Sequence, residues 1–248
     1  MRPLQNSKGT TLVELMVSIT LLTILSLAAI SLLAPCARAY ITVQQQSRAQ
    51  TLADALVENL RLELESAVGE MRFAEASETD SNMVYETLVK PDNARPAQGT
   101  ALEYSVFPNH VVMLDAGAVR ELTQKVSDTE TKTVLSEADA AKKQGYLHMR
   151  YFRDSQTVTE AKNGFAYAYT DIYAKGAYMN MKIGNIAFYA RGWEQNEDQT
   201  VTRLTSLTVV ITIVSEKDQT VLCTQKAIIP LPGKPVYSAG PLLKDATE

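Results

Sequence analysis

Lys8-Gly9-Thr10-Thr11-Leu12-Val13-Glu14, continued by LMVSITLLTILSLAAISLLAPCA over residues 15–37, is the stretch that decides how this chain is read. No residue from Leu15 to Ala37 is charged. As a helix, Leu15 to Ala34 alone spans roughly 30 Å, the thickness of a bilayer's hydrocarbon core. The run therefore predicts a membrane-spanning segment over about residues 12–34, with Leu15, Leu22, Ile24, Leu27 and Ile30 among its spanning side chains.

Three readings account for such a run. It is a plain anchor, or a secretory signal, or part of a processed stem. Ala37-Arg38-Ala39 has the small-x-small form of a signal peptidase site, and Arg2 and Lys8 supply a positive leading region. A signal's apolar core is usually about 7–15 residues, however, and this run is longer. The third reading takes in a detail the others leave over. Lys8-Gly9 is followed at once by Thr10 to Glu14, and only then does the uncharged run begin.

KGTTLVELMVSITLLTILSLAAI resembles the type IV pilin cleavage and methylation motif: a short basic leader ending in Gly, an apolar helix, and a Glu at the fifth mature position. The resemblance implies that a prepilin peptidase cuts after Gly9 and methylates Thr10 as the new N-terminus. It makes residues 1–9 a leader and Glu14 the assembly glutamate, paired with the free amine of a neighbouring subunit. The family most often has Phe where this chain has Thr10, which suits a minor pilin or pseudopilin better than a major pilin. The implied partners are the peptidase, the major pilin, other minor pilins or pseudopilins, the lipid bilayer and an assembly platform in the cytoplasmic membrane. The implied location is a single-pass cytoplasmic-membrane protein, N-terminus inside and head outside, that later joins an extracellular or periplasmic filament. Charge does not orient the segment, since Arg2 and Lys8 before it are matched by Arg38 and Arg48 after it.

Glu14 also has a local reading. A carboxylate on a membrane helix wants a partner, because at the bilayer centre it costs on the order of 2.5–3.5 kcal/mol. Thr11-x-x-Glu14 fits a capping box, in which the glutamate satisfies a helix-start amide. Both roles are compatible at different stages.

Beyond the run, Pro35 is expected to kink or end the helix. Helical periodicity then resumes. Leu52, Ala53, Leu56, Val57, Leu60, Leu64, Ala67 and Val68 fall on one stripe, Leu62 breaks it, and Gly69 is the expected stop. Residues 10–69 thus form a helical stem, and 70–248 a β-rich head. The predicted class is α+β, with a long N-terminal helix on a mainly antiparallel sheet. Strands are expected over Met83–Lys90, Ala101–Phe107, His110–Asp115, Tyr146–Arg153 and Tyr178–Trp193. Leu204–Glu216 and Thr220–Leu231 form a hairpin and the best core-sheet candidates. Phe165, Tyr167, Tyr169 and Tyr173 alternate as one face of a strand. Residues 117–145 read as a polar surface insertion in which Ser136 caps a helix over Glu137 to Gln144, closed by Gly145. The tail, 230–248, carries Pro230, Pro232, Pro235 and Pro241 and is expected to be extended or loose.

The formal charge of −4 argues against a general nucleic-acid binder. The two cysteines, Cys36 and Cys223, read as free, buried small apolar residues. The two histidines, His110 and His148, lie far apart and outside any metal spacing. The acidic residues Glu75, Glu78 and Asp80 lack a calcium-loop spacing. No nucleophile elbow, P-loop or dinucleotide fingerprint occurs. No catalytic residue, cofactor or metal is assigned, and the chain reads as a non-enzymatic structural subunit. The competing reading is a secreted or anchored surface binding protein that uses residues 15–34 only as signal or anchor.

Overall fold

The computed structural model describes residues 11–74, 97–107, 110–127, 129–153, 160, 165–198, 201–238 and 242. The expected strand Met83–Lys90 and the acidic Glu75, Glu78 and Asp80 lie outside the described residues. The chain divides into two compact units, Met1–Ser47 and Arg48–Glu248. The helix α1 (Leu12–Glu65) contributes to both.

In the first unit α1 is bare. Its large apolar side chains between Leu12 and Leu33 range from 75% exposed at Leu12 to 51% at Val17. Pro35 lies inside the helix and does not end it. Proline removes one amide donor but keeps a helical φ. The Leu and Ala residues on either side favour helix enough to carry the backbone through. Cys36 is exposed on this helix rather than buried.

The second unit begins where α1 turns amphipathic. Ala49, Leu52, Ala53, Leu56, Val57, Leu60 and Leu64 are buried, and Leu62 is 59% exposed. The helix stops at Glu65, four residues before the expected Gly69. Ser66 and Ala67 tighten the last turn by donating to Glu63 O and Leu64 O, both at 3.2 Å. Val68, expected on the buried stripe, is exposed. Val68 and Gly69 both donate to Ser105 O at 3.3 Å and so steer the chain into the sheet. Gly69 is needed there for space, because a Cβ would lie 2.8 Å from Ser105 Cβ.

The head then runs through β1 (Glu70–Ala74), β2 (Gln98–Gly99), β3 (Ala101–Phe107), β4 (His110–Asp115), β5 (Leu122–Lys125), β6 (Thr131–Leu135), α2 (Glu137–Ala140), β7 (His148–Arg153), β8 (Ala168–Asp171), β9 (Met181–Gln195), β10 (Thr202–Ser215), β11 (Val221–Pro230) and β12 (Val236–Tyr237). Among the described residues ten strands make one sheet, in the order β2-β9-β10-β12-β1-β3-β4-β7-β8, with β11 also on β10. Its pairings are antiparallel except β1 with β12. The fold is α+β, as expected. Leu207, Val209, Ile211 and Ile213 alternate along β10 with no exposed area and share one core with the α1 stripe. Burying each such side chain is worth about 1.5–3 kcal/mol.

The structure refines four expectations. Only β10 of the predicted core hairpin is central, since on β11 only Ile229 is buried. Residues 117–145 are more than a polar insertion. β5 and β6 form a separate two-stranded sheet, and Leu122, Leu135 and Ala140 share a second core with Val111, Met113 and Phe152. Few apolar residues sit in this stretch because each strand buries only isolated side chains. Ser136 does cap α2, accepting the Asp139 N–H, but the helix ends at Ala140. Finally, the tail is tied down over Val236–Tyr237. Val236 donates to Gly69 O at 2.8 Å and Ser238 to Met71 O at 2.9 Å, while Leu204 donates to Pro235 O at 2.9 Å. The non-proline residues supply the donors that the prolines lack.

Candidate functional site

Gly9 and Thr10 lie outside the described residues, which begin at Thr11. From there the start of α1 is a complete capping box. Glu14 Oε2 accepts the Thr11 backbone N–H at 3.0 Å and the Thr11 hydroxyl at 3.2 Å. In return the Glu14 N–H donates to Thr11 Oγ1 at 3.3 Å. Leu15 N–H donates to Thr11 O at 3.1 Å and closes the first turn. The sequence pattern Thr-x-x-Glu foretold this geometry.

Past Glu14 every hydroxyl in the uncharged run is satisfied by its own helix. Ser18, Thr20, Thr23, Ser26 and Ser31 donate to Glu14 O, Met16 O, Thr20 O, Leu22 O and Ala28 O, each at 2.8 Å. No hydroxyl of the run is left without a partner, which is what a hydrocarbon surrounding demands. Leu15, Leu22, Ile24, Leu27 and Ile30 are 56–67% exposed around this helix. α1 is long and apolar enough to cross a membrane.

The head holds a different constellation, on the sheet face turned away from α1. Asp115 on β4 pairs in register with His148 on β7, two residues from Arg150. All three are buried. Asp115 binds the Arg150 guanidinium, lies 3.0 Å from His148 Nε2 and accepts the Gly117 N–H at 2.8 Å. Burial alone would raise the Asp115 carboxyl, but Arg150 and then His148 outweigh it and hold the group well below the usual carboxylate range. Tyr169 stacks on His148 at 5.5 Å and donates to Asp171, which is also paired with Lys143. These groups fasten β4, β7 and β8 together. The alternating strand His148-Met149-Arg150 carried the signal, but its sequence does not say that Arg150 faces a core.

The tyrosines separate by role. Tyr178 is buried, accepts the Leu147 N–H at 3.0 Å and meets Tyr146 edge-on at 4.8 Å. Tyr173 lies past the end of β8, where Asn59 of α1 donates to its hydroxyl, so it does not share a strand face with Tyr169. Tyr167 is 36% exposed beneath Arg153, at 4.3 Å. Cys223 is half-buried, and burial followed by the Asp54 charge raises its thiol.

Residues 4–30 match the family model described as the prokaryotic N-terminal methylation motif. The chain therefore carries a type IV pilin-like prepilin motif, and the Thr11–Glu14 box lies inside it. That motif supports a type IV pilin-like protein and implies processing by prepilin peptidase and assembly with other pilins; together with the apolar helix it fits a membrane-anchored chain. No curated protein and no solved structure matches the chain.

Proposed function

We propose that this chain is a minor pilin or pseudopilin, a structural and non-enzymatic subunit of a type IV pilus, type II secretion or competence-type filament. Prepilin peptidase cuts after Gly9 and methylates Thr10. The subunit rests in the cytoplasmic membrane with its N-terminus inside and its head outside. An assembly platform then moves it into a filament beside the major pilin and other minor subunits. There the bare apolar half of α1 packs against its counterparts, and Glu14 pairs with a neighbour's new amine.

One observation carries this reading. Glu14 is the sole charge between Thr11 and Ala37, placed five residues after Gly9 within the matched motif. Such a charge costs free energy in lipid and gains a partner on assembly. The competing signal-peptide reading needs a cut at Ala37-Arg38-Ala39, where α1 is continuous. Mass spectrometry of the mature chain tests the choice. A start at Thr10 is expected, and a start at Tyr40 would sink the proposal.

A further inference from the structure

We propose that the head docks onto a second copy of itself, head to tail: the solvent face of α1 in one copy seats on the open face of the β9–β10–β11 sheet in the next. This goes beyond the filament reading, because it names a contact between heads that neither the motif nor the apolar run supplies.

The two surfaces lie on opposite sides of one helix-on-sheet pair. Leu56, Leu60 and Leu64 of α1 share a core with Leu207, Val209 and Ile211 of β10. Leu62 falls between the buried turns and is exposed, so it points away from the sheet. Thr208 and Val210 alternate with the buried β10 residues and so point away from α1. Their cross-strand neighbours are Tyr189 and Ala187 on β9, and Ile228 and Lys226 on β11. This outer face is left open to solvent. Ile228 is 46% exposed, and Tyr189 and Val210 are partly exposed. A groove of about 490 Å³ runs along it, and its lining includes Tyr189, Arg191, Trp193, Val210 and Lys226.

Charge selects the occupant. Arg191 and Lys226 are exposed, and no acidic residue lines the groove among the described residues. Neither cation is engaged in an ion pair among the described residues. The exposed stripe of α1 is the inverse. Asp54, Glu58 and Glu65 flank Leu62 there at helical spacing. Glu58 also meets Arg61 at 2.9 Å, an exposed pair of little worth to stability. An apolar centre ringed by acids thus matches an apolar groove flanked by cations. Complementary potentials of this kind fix partner and register. Because the two surfaces differ, each copy keeps one of them free after docking. Such a heterologous contact propagates from copy to copy rather than closing as a two-fold dimer.

The test uses the full-length chain in a non-ionic detergent, with Cys36 and Cys223 replaced by Ser. Leu62→Cys and Ile228→Cys are made as separate single-cysteine proteins and treated with a short bismaleimide. Mixed, they are expected to give a cross-linked dimer; either alone should give little, as a heterologous contact requires. The yield should fall as salt rises. Val126→Cys, exposed elsewhere on the head, should not link to Leu62→Cys, which separates docking from crowding through the stems. Arg191→Glu with Lys226→Glu, added to the Ile228→Cys protein, should cut the yield at least about tenfold. Glu58→Lys with Glu65→Lys, added to the Leu62→Cys protein, should restore it. All four charged side chains are exposed, and circular dichroism checks that each variant folds. A mixture that stays uncross-linked, as it would if this face served another ligand, would overturn the proposal. So would equal linkage by either protein alone or at Val126, or a charge reversal without effect or without rescue.

Discussion

Glu14 Oε2 accepts the Thr11 N–H at 3.0 Å while Thr11 Oγ1 accepts the Glu14 N–H at 3.3 Å, so the glutamate is satisfied within its own chain. Capping uses the side-chain oxygen, whereas pairing with an amine uses the charge. Glutamine retains the first and loses the second. Glu14→Gln should therefore remain membrane-inserted yet fail to enter filaments. Thr11→Ala gives up a cap worth about 0.5–2 kcal/mol but keeps the charge, and should still be incorporated. Fractionating cells into membrane and sheared-filament pools reads both variants. Normal incorporation of Glu14→Gln would reduce the residue to a cap.

The buried Asp115–Arg150 pair sets a second expectation. Removing one partner of such a pair leaves an uncompensated charge and costs about 3–5 kcal/mol. Arg150→Met should lower the thermal midpoint by on the order of 10 °C. The pH dependence follows from the depressed Asp115 pKa. Its contribution is fully present above the unfolded value of about 3.9 and is lost as pH falls below it toward the folded value. Near-UV circular dichroism melts between pH 6 and 3 should show a falling midpoint, with a shallower fall in Asp115→Asn. An equal slope in parent and variant would show that other carboxylates dominate.

The stem was legible because its signals are local. An uncharged run, a Thr-x-x-Glu start and a 3.6-residue stripe each declare themselves within a few turns, and Leu52, Leu56, Leu60 and Leu64 are buried as their spacing required. β3 and β4 were equally clear, since Pro108 and Asn109 punctuate two β-rich runs. What escaped the sequence was non-local. Arg150 looks like a solvated strand residue until β4 pairs with β7 and brings Asp115 beside it. Val236 and Tyr237 look like linker between prolines until β10 and β1 arrive on either side.

The short strand β12 leads to the last prediction. Val236 pairs with Arg203 on β10 and with Glu70 on β1, so two residues join the β9–β10 half of the sheet to the β1–β3 half. The contacts are backbone hydrogen bonds, from Val236 to Gly69 O and from Ser238 to Met71 O. Each is worth about 0.5–1.5 kcal/mol and is lost if the strand is absent. Tyr237 also packs against the main core, and Leu242 against the second. A chain ending at Gly233 should therefore melt well below the parent and be cleaved quickly by added protease. A chain ending at Leu242 keeps all of these contacts and should melt close to the parent. If the two truncations behaved alike, β12 would be a passive neighbour and the sheet would hold its halves together through β2 and the α1 core instead.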